Sequence, residues 1–273
     1  HIHLRCPGNM GLLACFLQIF FPSKPKTAKY AGNWAPNAQQ PWSYRVQKWI
    51  LSNSFLTRNM KVLVYGEWIN QSANIHPFFT ASYSEVEGAL IKKTISSESV
   101  IRLIFVGSLV VGKNPLYAIQ LLEQLRGKGI NAKLALYGDG MLREDLMDYI
   151  VTNKLEDVVI LHGNQNQEVL KKAYQQSHFV ILASKSEGWP KAIAEGMFWG
   201  CVPLVTAVSC VPQMLDYGKR GILLQMDLEN DVSVIITLVK NAIEFESLSM
   251  AAMNWSRKYT MEYFENEIQK LLK

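Results

Sequence analysis

The stretch Ser184-Lys185-Ser186-Glu187-Gly188-Trp189-Pro190-Lys191-Ala192-Ile193-Ala194-Glu195-Gly196 follows the apolar run Phe179–Ala183 (FVILA). The run reads as a strand and the small-residue loop as its end. Pro190 then opens a helix, because its fixed φ suits the first helical position. Backbone N–H groups from Gly188 to Lys191 would point out of the loop at the helix start, where an anion can be held. Glu195 stands eight residues after Glu187, one to two turns into the helix. Two acids in such a place are ordinarily solvated. Here Trp189, Ile193, Met197, Phe198 and Trp199 surround them and argue against free solvation.

Working outward, the strand-like runs Val100–Val106, Ala132–Tyr137, Val158–Leu161 and Val202–Thr206 alternate with helix-period segments at Pro115–Arg126, Met141–Asn153, Gln167–Gln176 and Pro190–Trp199. Strands without polar alternation, separated by helices, imply a parallel sheet covered on both faces. Ligands of such a doubly wound domain bind beyond the carboxyl ends of the strands. One further end is Val106-Gly107-Ser108-Leu109-Val110-Val111-Gly112-Lys113-Asn114-Pro115, which puts Lys113 at the positive end of a helix, where a phosphate would sit. A surface lysine on an ordinary loop is the plainer alternative. Tyr137-Gly138-Asp139-Gly140 is a tight turn with a mostly structural role. No GxGxxG fingerprint follows a strand, which disfavours a nicotinamide dehydrogenase.

Residues 1–97 are less regular. Strands are expected at His1–Arg5, Thr27–Ala31 and Lys61–Tyr65, and helices at Met10–Phe21 and Trp42–Ser52. Gly32–Pro41 and Trp68–Pro77 read as polar loops. Ser82–Ser99 has the composition of an interdomain linker, with one apolar patch at Ala89–Ile91. The eleven-residue run Gly11–Phe21 is too short to span a bilayer and reads as a buried helix. A hundred residues opening directly on a strand reads as an α/β domain begun part-way through, with a short complete domain as the alternative.

The chain has 273 residues, 49% hydrophobic and 19% charged, which excludes disorder and collagen-like repeats. Four cysteines without CxxC spacing (Cys6, Cys15, Cys201, Cys210) read as reduced thiols and exclude a zinc ribbon. The net charge of +5 divides unevenly, with +7 in residues 1–97 and −2 in the remainder. The first part also holds Trp34, Trp42, Trp49 and Trp68. A basic, aromatic-rich surface suits an anionic partner such as a phospholipid headgroup, a lipid phosphate or nucleic acid. A solvated basic face over core tryptophans is the alternative. Among the histidines, His162 at a strand end reads as nucleotide-facing or structural, and His178 as packing.

The signature EGWPKAIAEGMFWGCVPLV resembles the E-x7-E motif of family 4 glycosyltransferases. FVGSLVVGKNP, LYGDGMLREDL and LHGNQNQEVLKKAYQQSHFVILAS are similar to that family's preceding segments, and NWSRKYTMEYFENEIQKLL to its closing helices. The resemblance covers nearly all of residues 98–273. For residues 1–97 it is loose, carried by HIHLRCPGN, which resembles a strand end facing a cleft. It implies an α/β GT-B fold: two Rossmann-like doubly wound domains facing a cleft, the first lacking its start. The expected units are a partial acceptor-side domain at 1–97, a nucleotide-sugar domain at 98–258 and a closing helix at 259–273.

The resemblance also implies site roles. Lys113, Glu187 and Arg5 would be catalytic. The nucleotide-sugar donor would contact Gly107, Ser108, Lys113, Gly138, Gly163, Asn164, Glu187, Gly188, Trp189, Pro190, Lys191 and Glu195, the last taking the ribose hydroxyls. Gly8 and Asn9 would face the acceptor. Ser108 stands where the family usually has an arginine, and Arg5 where many members have a histidine. Ser209-Cys210 replaces a frequent Gly-Gly pair, and Gln213 a frequent Glu. The implied reaction is metal-independent sugar transfer with retention, from a UDP- or GDP-linked sugar to a glycan or lipid-linked acceptor. No Asp-x-Asp metal motif is present and no cofactor is expected. A nucleotide-sugar-binding module without turnover and a sugar-nucleotide epimerase are the competing readings. A cytoplasmic setting is implied, with peripheral contact at an anionic inner membrane face and no nucleic-acid partner.

Overall fold

The first sheet contains four parallel strands, β1 (Ile2–Cys6), β2 (Lys26–Tyr30), β3 (Met60–Tyr65) and β4 (Ile75–Phe78), lying side by side in sequence order. Helices α1 (Asn9–Leu17) and α2 (Trp42–Leu51) pack against each other. They share a face because crossovers of one hand that advance in one direction stay on one side. Leu4, Cys6, Ala28, Tyr30, Val62 and Val64 form the core beneath them, with Cys15, Ile50 and Leu51 from the helices. The computed structural model describes residues 1–88, 91–96 and 99–272. The boundary drawn between residues 97 and 98, most of the Ala89–Ile91 patch and Lys273 lie outside the described residues.

Two expectations for this sheet are corrected. The Gly11–Phe21 run is helical but not buried: α1 buries Gly11 and Cys15, while Met10, Leu13, Phe16, Leu17, Phe20 and Phe21 are exposed. Small residues fill the narrow space against β1 and α2, where a Cβ on Gly11 would stand 2.8 Å from the Arg5 carbonyl. The large side chains are thereby turned outward. The stretch that reads as a polar loop, Trp68–Pro77, also contains most of β4. Proline in a strand masks it in sequence but is tolerated because β4 is at the sheet edge.

The second sheet has six parallel strands: β5 (Ile101–Val106), β6 (Ala132–Tyr137), β7 (Val159–Gly163), β8 (Phe179–Leu182), β9 (Val202–Thr206) and β10 (Ile222–Leu224). Their spatial order is β10-β9-β8-β5-β6-β7. The chain moves outward from β5 to β7, returns to β8 beside β5, and moves outward again the other way. Right-handed crossovers then put α3 (Pro115–Gly127) and α6 (Lys191–Phe198) on opposite faces. Every residue of β8 and β9 is buried, as a sheet covered twice requires. The remaining helices are α4 (Arg143–Thr152), α5 (Gln167–Gln176), α7 (Val211–Met214), α8 (Leu228–Val239), α9 (Ala242–Ser256) and α10 (Met261–Leu272).

The connection between the sheets is strapped down. Ser84 and Glu87 form a capping box around a single 3-10 turn, and Glu87 pairs with Lys171 of α5 at 2.8 Å. Lys93 is buried and donates to the carbonyls of Tyr174 (2.9 Å), Ser177 (2.7 Å) and Gln175. These bonds satisfy an ammonium that burial would otherwise penalise. Helix α10 returns to the first sheet, where Phe264 meets Phe78 edge-on and Tyr263 stacks on Phe79.

Candidate active site

The reversal between β5 and β8 is the topological switch point, where a doubly wound sheet opens a crevice. The loops following these two strands meet there. Lys185 N–H donates to the Gly112 carbonyl (2.9 Å), and Lys113 Nζ pairs with Glu187 Oε1 at 2.5 Å. Glu187 is buried and Lys113 partly so. The pair faces a cavity of about 510 Å³ whose lining includes Gly107, Ser108, Trp189, Pro190, Lys191 and Glu195. Each carboxylate has a lysine partner, since Lys191 lies 3.5 Å from Glu195. Tyr174 donates to Glu195 Oε2 at 3.3 Å. Burial, followed by the Glu195 charge, holds the Tyr174 phenol well above its ordinary range, so it stays protonated and able to donate.

Helix α6 starts at the cavity. Ile193 and Ala194 both donate to the Pro190 carbonyl, which leaves the N–H groups of Lys191 and Ala192 without helical partners. Beside a lysine, those groups form a place for phosphate oxygens. An anion arriving there would compete with Glu187 for Lys113.

Successive glycines mark the neighbouring strand ends. Gly107 N–H donates to Tyr137 O (2.9 Å), and Gly138 N–H to Gly163 O (2.8 Å). Gly138 has φ 134°, and a Cβ there would fall 2.0 Å from the Gly107 carbonyl oxygen. Gly138 is thus required by close approach. Gly138, Gly163 and Asn164 do not line the 510 Å³ cavity and sit along the adjoining strand ends. His162 stacks on Tyr137, with ring centroids 4.5 Å apart.

The first sheet closes the other side. A Cβ on Gly188 would meet the Ala31 carbonyl oxygen at 2.4 Å, so the glycine lets the two sheets' loops touch. Ser209 Oγ and Cys210 Sγ both point to the Gly188 carbonyl, at 3.4 and 3.2 Å. Ser209 adopts φ 52°, a left-handed conformation that favours glycine. Gln213 clamps the loop after β3: it accepts from Glu67 N–H (2.8 Å) and donates to Glu67 O (2.6 Å). Arg5 is exposed on β1, with no hydrogen bond or ion pair to Lys113 or Glu187 among the described residues. Gly8 N–H donates to Gln47 Oε1 (3.3 Å), and Asn9 begins α1. The structure therefore groups Gly107, Ser108, Lys113, Glu187, Trp189, Pro190, Lys191 and Glu195 around the cavity and leaves Gly138, Gly163, Asn164, Gly188, Arg5, Gly8 and Asn9 outside its lining.

Two residues, Gln167 and Arg143, and the contact made by Gln213 escaped the sequence reading. Gln167 lines the cavity as the first residue of α5, a position signalled by Asn166, whose side chain caps the helix at Val169 N–H (3.0 Å). Arg143 Nη1 is buried without an acceptor among the described residues, 3.9 Å from where a Gly163 Cβ would stand. Its signal is an arginine directly after the Gly-Asp-Gly turn. The Gln213 clamp has no local signal.

The family model described as glycosyl transferases group 1 matches residues 87–253. The chain belongs to this family. Residues of the chain are 27% identical over 153 positions to the N-acetylgalactosamine-N,N'-diacetylbacillosaminyl-diphospho-undecaprenol 4-alpha-N-acetylgalactosaminyltransferase of Campylobacter jejuni, covering 56% of this chain and 40% of that protein. The matched part spans less than half the length of the curated relatives. The fold is similar to S. aureus TarM solved with UDP, fondaparinux and alpha-GlcNAc-glycerol (TM-score 0.73, 19% identity, 99% of this chain and 55% of TarM). It is also similar to Anabaena HepE solved with UDP and glucose (TM-score 0.77, 13% identity, 99% of this chain and 77% of HepE). The two parallel sheets facing one crevice are the GT-B architecture of group 1 glycosyl transferases.

Proposed function

We propose that the chain carries a glycosyltransferase site that moves a sugar from a UDP- or GDP-linked donor to a hydroxyl of a glycan or lipid-linked acceptor, with retention and without a metal or cofactor. The observation that carries this reading is the Lys113–Glu187 pair at the switch point, beside the open N-terminus of α6. In this reading the diphosphate lies over that N-terminus and takes Lys113 from Glu187. As the bond from sugar to diphosphate breaks, negative charge grows on the leaving phosphate, where a preorganised lysine and helix N–H groups stabilise it most. Glu187, freed from Lys113, faces the donor sugar. Glu195, held by Lys191 and Tyr174, takes the ribose hydroxyls. Gly163 and Asn164 extend the site toward the base.

The acceptor enters from the first sheet, and the reading includes peripheral contact of that sheet with an anionic membrane face in the cytoplasm. Exposed Met10, Leu13, Leu17, Phe20, Trp42 and Trp49, interspersed with exposed Lys24 and Arg45, support that contact. No helix among the described residues is long and apolar enough to cross a membrane. Exposed Ser108 favours a second reading, nucleotide-sugar binding without turnover, because the cavity then has one cation fewer for the leaving group.

The test is calorimetric titration with UDP, GDP and their sugars, together with nucleotide release from those sugars. Lys113→Ala and Glu187→Ala should each lower turnover about 100-fold while the fold is kept. Unchanged nucleotide-sugar affinity in both variants sinks the assignment. Binding without release from any donor selects the second reading.

A further inference from the structure

Trp189 is a partition. One side of it belongs to the 510 Å³ cavity, and it also lines a second cavity of about 740 Å³ on the β9–β10 side of the sheet. No residue of this second cavity other than Trp189 lines the first. Its walls come from four places: the loop after β3, the end of β4, the segment following β9, and helices α9 and α10 with their junction.

The lining has an uncommon chemistry. Trp68, Trp189, Trp255, Tyr259 and Tyr263 supply aromatic surface. Trp189 and Trp255 are nearly parallel (26°) with ring centroids 6.0 Å apart, and Tyr259 meets Trp189 edge-on at 5.6 Å. The same lining holds Glu67, Gln213, Arg220 and Glu267. Flat apolar faces interleaved with hydrogen-bonding groups match a pyranose, whose C–H face packs on a ring while its hydroxyls bond around the edge. A prenyl chain would desolvate the charged groups of Glu67, Arg220 and Glu267, which is costly even where Arg220 keeps its carbonyl acceptors and Glu267 its Lys270 partner. A phosphate would meet one cation, Arg220, which already donates to the Gln213 and Met214 carbonyls and lies over the Trp255 ring. The volume is in the range of small-molecule sites and exceeds the adjoining cavity.

Two further observations point the same way. The indole N–H of Trp189 is buried and has no acceptor among the described residues. A buried donor left unpaired is unfavourable, and a ligand hydroxyl in either of the two cavities that Trp189 lines would satisfy it. The wall after β9 also holds a non-glycine residue at positive φ, Tyr217 (53°), with its ring exposed at the cavity, and the same segment carries Ser209 (52°) and Asp216 (44°) just outside the lining. Such strain gathers where a surface is shaped for a ligand.

We propose that this cavity is a saccharide subsite, which holds a sugar of the acceptor glycan against the aromatic walls on the far side of Trp189 from the nucleotide sugar. The assignment of its occupant as acceptor rests on the glycosyl-transfer reading, but saccharide binding can be measured without it. Full-length chain is titrated with methyl glycosides of glucose, galactose, mannose and N-acetylglucosamine and with their disaccharides, followed by tryptophan fluorescence and saturation-transfer NMR. Geranyl phosphate is the lipid probe. Tyr217→Ala and Tyr263→Ala remove partly exposed rings from the wall and leave the core in place. At least one saccharide should bind, and each variant should weaken it roughly 5-fold, with UDP and GDP affinity unchanged. Absence of saccharide binding, equal binding in both variants, or occupation by geranyl phosphate instead of sugar overturns the proposal. Saccharide binding that falls in the variants while neither nucleotide binds would retain the subsite and remove the glycosyl-transfer reading.

Discussion

The six-stranded and four-stranded sheets are assembled from the same strand–helix unit, yet the inner strands β8 and β9 of the one and the edge strand β1 of the other bury it differently. In β8 and β9 every side chain is buried. In β1 burial alternates: Leu4 and Cys6 are covered by α1 and α2, while His3 and Arg5 face outward. The two sheets also differ in charge. No acidic residue precedes Glu67, whereas eight lysines and arginines do. The sheet that winds in both directions creates its own crevice and fixes its loops by close backbone approach. The sheet that winds in one direction offers a surface: basic, aromatic and open on α1. The proposed chemistry follows that division, with the reacting groups on the rigid side.

The largest effect that separates the two regions is expected from adding one methyl group. Gly138→Ala puts a Cβ against the Gly107 carbonyl at a φ of 134° that L-residues rarely adopt. It should cost about 3 kcal/mol of stability, read as a lowered thermal midpoint. Gly8→Ala, where nothing lies within 4 Å and the backbone is extended, should cost less than about 1 kcal/mol. Equal losses would show that the strand ends of the second sheet are no more constrained than the loop before α1.

The same contrast explains how much was legible beforehand. Apolar strands separated by helices leave continuous runs, wholly buried only in β8 and β9, so β5 through β9 could be placed from sequence. Lys113 and Glu187 followed, because a glycine-bearing loop and a proline-opened helix are local signals. β4 was hidden because Pro77 and its polar neighbours are tolerated only at an edge, and edge status is a tertiary property. α1 read as buried because an apolar run carries no record of which residues find a partner. The Gln213–Glu67 clamp, the burial of Lys93 in a polar linker and the partition at Trp189 all join segments far apart in the chain. No periodicity could have revealed them.

An intermediate effect concerns pH. His178 Nδ1 accepts from Arg102 N–H at 3.0 Å, and burial, followed by the charges of Lys93 and Arg102, lowers its pKa from 6.5 to about 4. The folded protein therefore holds this ring neutral, while the unfolded chain takes up a proton below about 6.5. Between those values unfolding binds a proton, so the contribution is complete above pH 6.5 and is lost as pH falls toward 4. The loss should be on the order of 1–2 kcal/mol, reduced from the full linkage value because the ring is only partly buried. Denaturant midpoints at pH 7.5, 6 and 4.5 read it directly. His178→Asn, which can still accept from Arg102, should flatten the profile, and a profile as steep as the wild type would assign the pH dependence to other groups.

The smallest effect on stability is expected on the open face of the first sheet, and there the comparison is sharpest. Leu13→Ser and Trp49→Ser replace exposed side chains, so each should change stability by no more than about 0.5 kcal/mol. Comparable changes inside β8 or β9 would cost several kcal/mol, because they leave a cavity and an unpaired hydroxyl. Yet the same two surface variants should reduce cosedimentation with vesicles containing phosphatidylglycerol, since apolar insertion and attraction of Lys24, Arg45 and Arg58 to anionic headgroups act together. Raising salt should weaken vesicle binding of the wild type more than it weakens nucleotide binding at the proposed 510 Å³ site, because exposed charges are screened and the partly buried Lys113–Glu187 pair is screened less. If vesicle binding is unaffected by either variant, the exposed α1–α2 face is not the membrane contact. The division of labour between the two sheets would then need another partner on the basic side.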